Sequence, residues 1–237
     1  PELQSWDEQT ETLSGSLLLE LATACEAAAL GYSSKITNSD GASCDRNIGY
    51  MAFACGDRAG LGFAGASRGT YQSLAVEALC DDEGGKKRNA SYWTGGRFFS
   101  ELLDPVAVGR EAARRAERKL GSQKISTAEL PVVFDPDVAR ALLRTFAGVI
   151  SGGSIYRKSS YLCGREGTQV ASSLISIVDD PLIVRAPGSR CFDGEGLPVR
   201  KNVIVQAGEL QTYLLDTYSA RKLGRKSNGC AGRSVGG

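Results

Sequence analysis

A change of hydrophobic period constrains the fold of this chain more than any other feature. From about residue 36 to residue 97, the apolar residues fall in short strand-like runs over 50–55, 61–68, 70–80 and 91–98. Glycine-rich or polar breaks separate these runs. This spacing predicts an antiparallel meander rather than alternating strands and helices.

Helical periodicity flanks the predicted meander on both sides. Residues 14–31 carry an apolar stripe that ends at Gly31. A second helix is expected to begin at Asp104, a good N-cap, with Pro105 in its first turn, and to run to Leu120. Its predicted buried stripe comprises Val106, Ala113, Ala116 and Leu120.

The second half of the chain mixes strands with helices. Asp135 followed by Pro136 predicts a helix start, and the apolar face of that helix carries Val138, Leu142, Phe146 and Val149. Short strands are expected over 131–134, 170–178, 199–206 and 210–215, and a short helix over 216–223. The predicted fold class is α+β, an antiparallel β-meander with flanking helices followed by part of a second mixed α/β domain.

Three units are predicted along the chain. They are an N-terminal helical segment (1–31), a central meander-plus-helix domain (32–124) and the incomplete start of a C-terminal domain (130–237). A polar connector near 121–130 marks the boundary between the last two. Because the chain starts at Pro1 and its only methionine is Met51, we expect a fragment of a longer protein.

Composition limits the chemistry that is available. The 237 residues include no histidine, so imidazole cannot serve as base, acid or metal ligand within this chain. The 28 Lys and Arg residues against 27 Asp and Glu exclude a strongly basic nucleic-acid binder. No stretch approaches the ~20 apolar residues that would span a bilayer, which excludes a membrane protein. Seven cysteines without a C-x-x-C pair indicate reduced thiols and a cytoplasmic protein.

Two glycine motifs match functional patterns by their letters. Residues 60–65 match G-x-G-x-x-G, but turn and strand residues follow Gly65 where a dinucleotide site needs a helix. We therefore interpret this run as a glycine-rich hairpin strand. Residues 65–69 match the G-x-S-x-G elbow, which is void here unless a partner supplies the histidine base.

Three further patterns are weighed against simpler interpretations. Ser219 and Lys222 fit S-x-x-K, but the companion motifs are absent and Lys222 more simply caps a helix end. An oxygen-ligated metal site at 179–180 or 193–195 is less favoured than two turns. The basic pairs at 157–158, 221–222 and 225–226 could bind a carboxylate or a phosphate, although a solvated face is preferred.

Several runs resemble those of the TldD/PmbA family. In the second half these are residues 152–162, 192–196 and 218–224, and in the first half they are 35–41 and 130–134. The resemblance implies a two-subunit metalloprotease that degrades peptides inside a closed chamber. In that family the catalytic subunit carries an H-E-x-x-x-H helix, whose histidines bind zinc and whose glutamate serves the attacking water.

The corresponding helix of this sequence is expected over 141–152. Leu143 and Gly148 then occupy the histidine positions and Arg144 the glutamate position. The chain therefore resembles the PmbA (TldE) subunit, which lacks the zinc helix, and no residue of this chain is expected to be catalytic or to bind metal. Zinc is expected only in a TldD-like partner.

The resemblance also implies a role and a contact surface. The expected role is that of a non-catalytic subunit of a cytoplasmic heterodimeric protease, acting on extended peptides, with neither a membrane nor a nucleic acid as partner. Contacts to the peptide or to the other subunit are expected from Tyr156, Arg157, Lys158 and Ser159.

Two other functions stay open from the sequence. The chain could be a stand-alone binding or regulatory protein that modulates a DNA-acting enzyme or a toxin–antitoxin system. It could also be a hydrolase that uses Ser219 and Lys222.

Overall fold

A three-stranded antiparallel sheet organises the first half of the chain, in a computed structural model that describes residues 2–56 and 62–232. Its strands are β1 (Ile36–Cys55), β2 (Phe63–Asp81) and β3 (Lys87–Gly96), in the spatial order β1-β2-β3. A short 3-10 turn, Glu83–Gly85, joins β2 to β3. The predicted meander is therefore confirmed.

The strands are longer than the sequence predicts. Two of the predicted runs, 61–68 (of which residue 61 lies outside the described residues) and 70–80, contribute residues 63–68 and 70–80 to one strand, and β1 already begins at Ile36. The predicted break at Gly69 was wrong because this glycine pairs with Gly49 across the β1–β2 ladder. A Cβ at Gly69 would lie 2.8 Å from the Arg97 guanidinium, so the glycine permits close packing rather than a turn.

Three helices belong to the first half, and the two longer ones cover one face of the sheet. They are α1 (Glu8–Thr12), α2 (Gly15–Leu30) and α3 (Pro105–Glu117). Asp104 caps α3 as predicted, and Ser14 caps α2. Alternate residues of β2 face the helices, and the core comprises mainly Cys25, Ala29, Leu74, Val76, Ala78, Val108, Ala112, Ala113 and Ala116.

One residue of the predicted α3 stripe was placed wrongly. Val106 is 42% exposed, whereas Val108 and Ala112, which the prediction omitted, are fully buried. The buried face of α3 is set by the close approach of α2, which is centred on Gly109. Periodicity alone gives a stripe but not the point at which a neighbouring helix crosses it.

The second half contains a small antiparallel sheet and three helices. The strands are β4 (Ile177–Asp179), β5 (Asn202–Gln206) and β6 (Glu209–Leu210), and the helices are α4 (Pro136–Val149), α5 (Gly152–Tyr156) and α6 (Thr217–Lys222). Ala207 and Gly208, both at positive φ, form the predicted turn between β5 and β6. Together with the first half, this arrangement confirms the α+β class.

Several predicted strands of the second half are shorter or absent. Residues 131–134 form no strand in the described part of the chain, and Val133 is 97% exposed. The expected strand over 210–215 stops at Leu210 because the Asn228 side chain takes over the backbone bonds. Its amide oxygen accepts from Leu215 N–H at 2.8 Å, and its nitrogen donates to the Tyr213 carbonyl at 2.7 Å.

Hydrogen bonds from a side chain to the backbone, and a contact between two aromatic rings, join the two halves. The Arg97 guanidinium donates to the carbonyls of Ser5, Ala186 and Pro187. The ring of Phe63, at the start of β2, lies edge-on to that of Phe192 at 5.0 Å. In the described ranges 2–56 and 62–232, the chain forms no helix with the length and hydropathy that crossing a bilayer requires.

Candidate functional site

The helix α4 begins where the sequence predicts it. The Asp135 carboxylate accepts from Asp137 N–H at 3.0 Å, and Pro136 occupies the first turn. The apolar face packs only at its end, where Phe146 and Val149 touch the core of the second half. No residue of α4 is fully buried, because its first turns lie outside that core.

The three positions that the sequence aligns with a zinc motif are exposed on α4. Leu143 is 49% exposed, and Arg144 and Gly148 are exposed as well. Leu143 has only an alkyl side chain, Arg144 carries a cation, and Gly148 has no side chain. None of the three can therefore bind Zn²⁺ or deprotonate water. A guanidinium at the position of the base would also repel a metal cation.

The remaining donor groups do not fit zinc either. The sequence has no histidine, and the described residues hold no cluster of three or more Cys, Asp or Glu arranged around one point. The Cys230 thiol donates to the Asp179 carboxylate at 3.5 Å. Burial, together with the charge of Asp179, raises the pKa of Cys230 to about 12, so the thiol on its own is protonated at neutral pH.

The carboxylates of the acidic turn at 193–195 have structural partners. The Asp193 carboxylate is buried and accepts from the backbone N–H groups of Glu195, Leu197 and Ala231. Glu195 in turn accepts from Thr217 N–H at 2.9 Å. These carboxylates hold their loop against α6, as the turn interpretation requires.

Ser219 and Lys222 have different partners in the structure. The Ser219 hydroxyl is buried and donates to the Asp216 carboxylate, which caps α6. The Lys222 ammonium lies 5.6 Å from the centre of the Tyr218 ring. Each group serves a contact of its own, which argues against a serine–lysine dyad.

The glycine motifs carry no nucleotide or nucleophile geometry in the described residues. Gly60 and Leu61 lie outside the described ranges, and the rest of the first motif enters β2 instead of opening a helix. Ser67 lies within β2 and pairs with Met51, so it is not at a strand-to-helix turn.

The four residues predicted to contact a peptide or a subunit lie at the end of α5, beside α6. The two helices meet so closely that a Cβ at Gly152 would lie 2.1 Å from the Ser219 hydroxyl. The rings of Tyr156 and Tyr218 are 5.5 Å apart and nearly perpendicular, at 79°. The Arg157 guanidinium lies 5.3 Å from the centre of the Tyr156 ring.

The turn after α5 is held rigidly. Lys158 has φ +56°, in the left-handed region that a non-glycine residue adopts only when its surroundings hold it there. Ser159 donates from both its backbone N–H and its hydroxyl to the Ser154 carbonyl. We refer to the group formed by Tyr156, Arg157, Lys158, Tyr218, Arg221 and Lys222 as the α5–α6 surface.

A recess, which sequence reasoning missed, opens between the two halves. It has a volume of about 810 Å³ and is lined by Met51 and by four segments, near residues 2–8, 66–69, 97–98 and 185–192. The Arg68 guanidinium lies over the Trp6 ring at 4.4 Å, and that of Arg185 over the Phe98 ring at 4.1 Å. No local motif signals this recess, because its walls are far apart in sequence.

Two family models match the chain. The model of the PmbA/TldA metallopeptidase central domain matches residues 8–120, and that of the PmbA/TldA metallopeptidase C-terminal domain matches residues 127–237.

Curated relatives are similar over most of this chain. A metalloprotease PmbA homolog of Haemophilus influenzae is 39% identical over 219 residues, and the metalloprotease PmbA of Escherichia coli O157:H7 is 36% identical over 214 residues. Each match covers 90% of this chain and 46% of the relative, so the chain spans about half the length of these proteins.

Solved structures share the fold. A protein of Bacteroides thetaiotaomicron, described as a candidate modulator of DNA gyrase, is 27% identical and matches with a TM-score of 0.88 over 98% of this chain and 52% of its own. TldE of Thermococcus kodakarensis has a TM-score of 0.72 over 100% of this chain and 53% of its own. At 18% identity, the second likeness concerns the fold alone.

Proposed function

The chain belongs to the PmbA/TldD metalloprotease family, and we propose that it acts there as a non-catalytic subunit of the PmbA (TldE) type. In this proposal it works in the cytoplasm with a TldD-like catalytic subunit, and helps to enclose and present extended peptides. Its residues 32–124 and 130–237 would correspond to a central domain and part of a C-terminal domain.

The observation that carries this proposal is the composition of α4. The helix is capped at Asp135, and in the alignment that the family resemblance implies, Leu143, Arg144 and Gly148 stand where the family motif has its zinc ligands and its base. A zinc peptidase needs both a Lewis acid and a carboxylate base, and a subunit without either depends on a partner for the chemistry. The zinc ion and the attacking water would therefore belong to the partner.

Reconstitution with the catalytic subunit of the same organism tests the role. Peptide cleavage is measured for that subunit alone, for this protein alone, and for the mixture. We expect cleavage by the mixture to exceed that of either component, and this protein alone to be inactive. Equal activity of the catalytic subunit with and without this protein would refute the proposal.

A matched pair of substitutions then assigns the chemistry. Replacing the motif glutamate of the catalytic subunit by glutamine should abolish cleavage by the mixture. Arg144→Gln in this protein, at the corresponding place on an exposed helix, should leave it unchanged. A large loss from Arg144→Gln would contradict a purely supporting role for this helix.

One observation favours a second candidate function. The Bacteroides neighbour is described as a candidate modulator of DNA gyrase, so a stand-alone regulator of a DNA-acting enzyme is the alternative. This function predicts that the protein alters supercoiling by purified gyrase in the absence of any protease subunit. No change in supercoiling over a wide range of protein concentrations would reject it.

A further inference from the structure

Basic charge is concentrated around α5 and α6. Residues 155–166 and 216–226 contain seven Lys and Arg against two carboxylates, whereas the rest of the chain has 25 carboxylates against 21 cations. The two local carboxylates are already engaged, because Glu166 pairs with Arg225 and Asp216 caps α6. Among the described residues, the cations without an ion pair there are Arg157, Lys158, Arg165, Arg221, Lys222 and Lys226.

The α5–α6 surface holds two of these cations against aromatic rings. Tyr156 and Tyr218 lock each other edge to face, and each carries a cation over its ring, Arg157 and Lys222 respectively. Tyr218 is 55% exposed, and both cations are exposed. Side chains that are already immobilised against rings lose less conformational entropy when they bind a ligand.

The charge selects an anionic ligand, and the ring geometry discriminates between classes of ligand. Nucleic-acid bases stack on open aromatic faces, but each of these rings has a cation near it and the two rings meet edge to face. The excess of carboxylates on the rest of the chain would also repel a long polyanion. Carboxylates spaced along a polypeptide need only a local basic patch.

We propose that the α5–α6 surface binds acidic segments of extended polypeptides. The inference rests on the proposed function only in taking a peptide as the natural ligand. Arg157 supplies a planar fork that can hold one carboxylate through two hydrogen bonds, while Lys158 and Lys222 act as point charges for its neighbours.

Direct binding of defined probes tests this inference without a protease subunit. Fluorescence anisotropy is measured with a fluorescein-labelled peptide of alternating glutamate and serine, with the equivalent lysine–serine peptide, and with single-stranded oligothymidine. We expect the glutamate peptide to bind most tightly and its affinity to fall as salt is added, since the contacts are exposed. Tighter binding of oligothymidine, or no binding of the glutamate peptide, would overturn the inference.

Charge-matched variants locate the site. Arg157→Gln with Lys222→Gln should weaken binding of the glutamate peptide by about tenfold or more, the effect of roughly 1.4 kcal/mol of lost contact. Lys86→Gln with Lys124→Gln removes the same charge from exposed positions elsewhere and should change it by less than about twofold. Equal losses in the two double variants would mean that net charge, and not this surface, attracts the peptide.

A third variant guards against misfolding. Lys158 occupies a left-handed conformation that glycine adopts without strain, so Lys158→Gly removes a cation while preserving the turn. It should weaken binding by about threefold, with an unchanged melting temperature. Unchanged binding in this folded variant would count against the proposed surface. These binding experiments contain no catalytic subunit. Their results therefore do not depend on whether the proposed role in a protease is correct.

Discussion

At the scale of single residues, buried polar side chains differ in whether they have hydrogen-bond partners. Asn228, Asp193 and Ser219 each have partners that fix a loop or a helix start. Gln72, in the middle of β2, is completely buried, and neither atom of its amide has a hydrogen-bond partner among the described residues. Burial of an amide without a partner removes its hydrogen bonds to water, and no hydrogen bond within the protein replaces them.

Gln72→Met therefore tests whether this amide destabilises the first half. The methionine has a similar shape without polar atoms, so we expect the free energy of unfolding to rise by about 1–2 kcal/mol in urea denaturation. As a control, Gln169→Met removes an amide that donates to the carbonyls of Ala171 and Ala207, and should lower it. A loss of stability in Gln72→Met would show that this amide is satisfied in solution.

At the scale of elements, the caps and the helix crossing decide which sequence predictions succeed. The starts of α2, α3, α4 and α6 follow from their capping residues, which act locally. The burial of α3 depends instead on α2, and this crossing is possible because position 109 has no side chain. A Cβ there would lie 2.2 Å from the Cys25 carbonyl oxygen.

The crossing predicts an unusual result for a glycine in a helix. Gly109→Ala should lower the free energy of unfolding by about 1–2 kcal/mol, because overpacking against α2 exceeds the ~1 kcal/mol gained in helix propensity. Gly148→Ala, in α4 with nothing near the added methyl, should raise it by up to ~1 kcal/mol. Stabilisation by both variants in thermal or urea unfolding would contradict the described crossing.

A cluster of charges on α3 predicts a pH dependence. Glu111 accepts from Arg114 and Arg115, and these bonds, Arg114 first, lower the pKa of Glu111 to about 2 from its usual 4.5. A lowered pKa means that the charged form stabilises the fold above pH 4.5, and that this contribution is lost as the pH falls towards 2.

The pH dependence is measured as the difference in unfolding free energy between the unmodified protein and Glu111→Gln. We expect the difference to be constant above about pH 5 and to shrink between pH 4.5 and 2. Glu129→Gln, which removes an equal charge from the exposed connector, serves as the control. A difference that grows on acidification would show that the sign of this contribution is wrong.

At the scale of the whole molecule, the sequence predicts the order of elements better than their contacts. The meander, the helices and the α+β class follow from period and caps. The length of β2 does not follow from them, because Gly69 predicts a turn and local sequence does not reveal its cross-strand partner, Gly49. The exposed segment 131–134 has strand chemistry but no strand partner among the described residues, and pairing is a non-local property.

Some features of the candidate sites can be predicted from the sequence and others cannot. The proposed replacement of the zinc motif on α4 follows from the sequence alone, because its positions lie on one helix. The meeting of Tyr156 with Tyr218 and the recess beside Arg97 join segments far apart in the chain, and no local pattern predicts them.

Zinc affinity of this protein alone, measured by competition with a chromophoric chelator together with its peptidase activity, tests most directly whether it is a non-catalytic subunit. We expect no stoichiometric zinc and no cleavage, because α4 carries Leu143, Arg144 and Gly148 at the positions proposed to correspond to the ligands and the base. One tightly bound zinc per chain, accompanied by turnover of peptide, would contradict the proposed role.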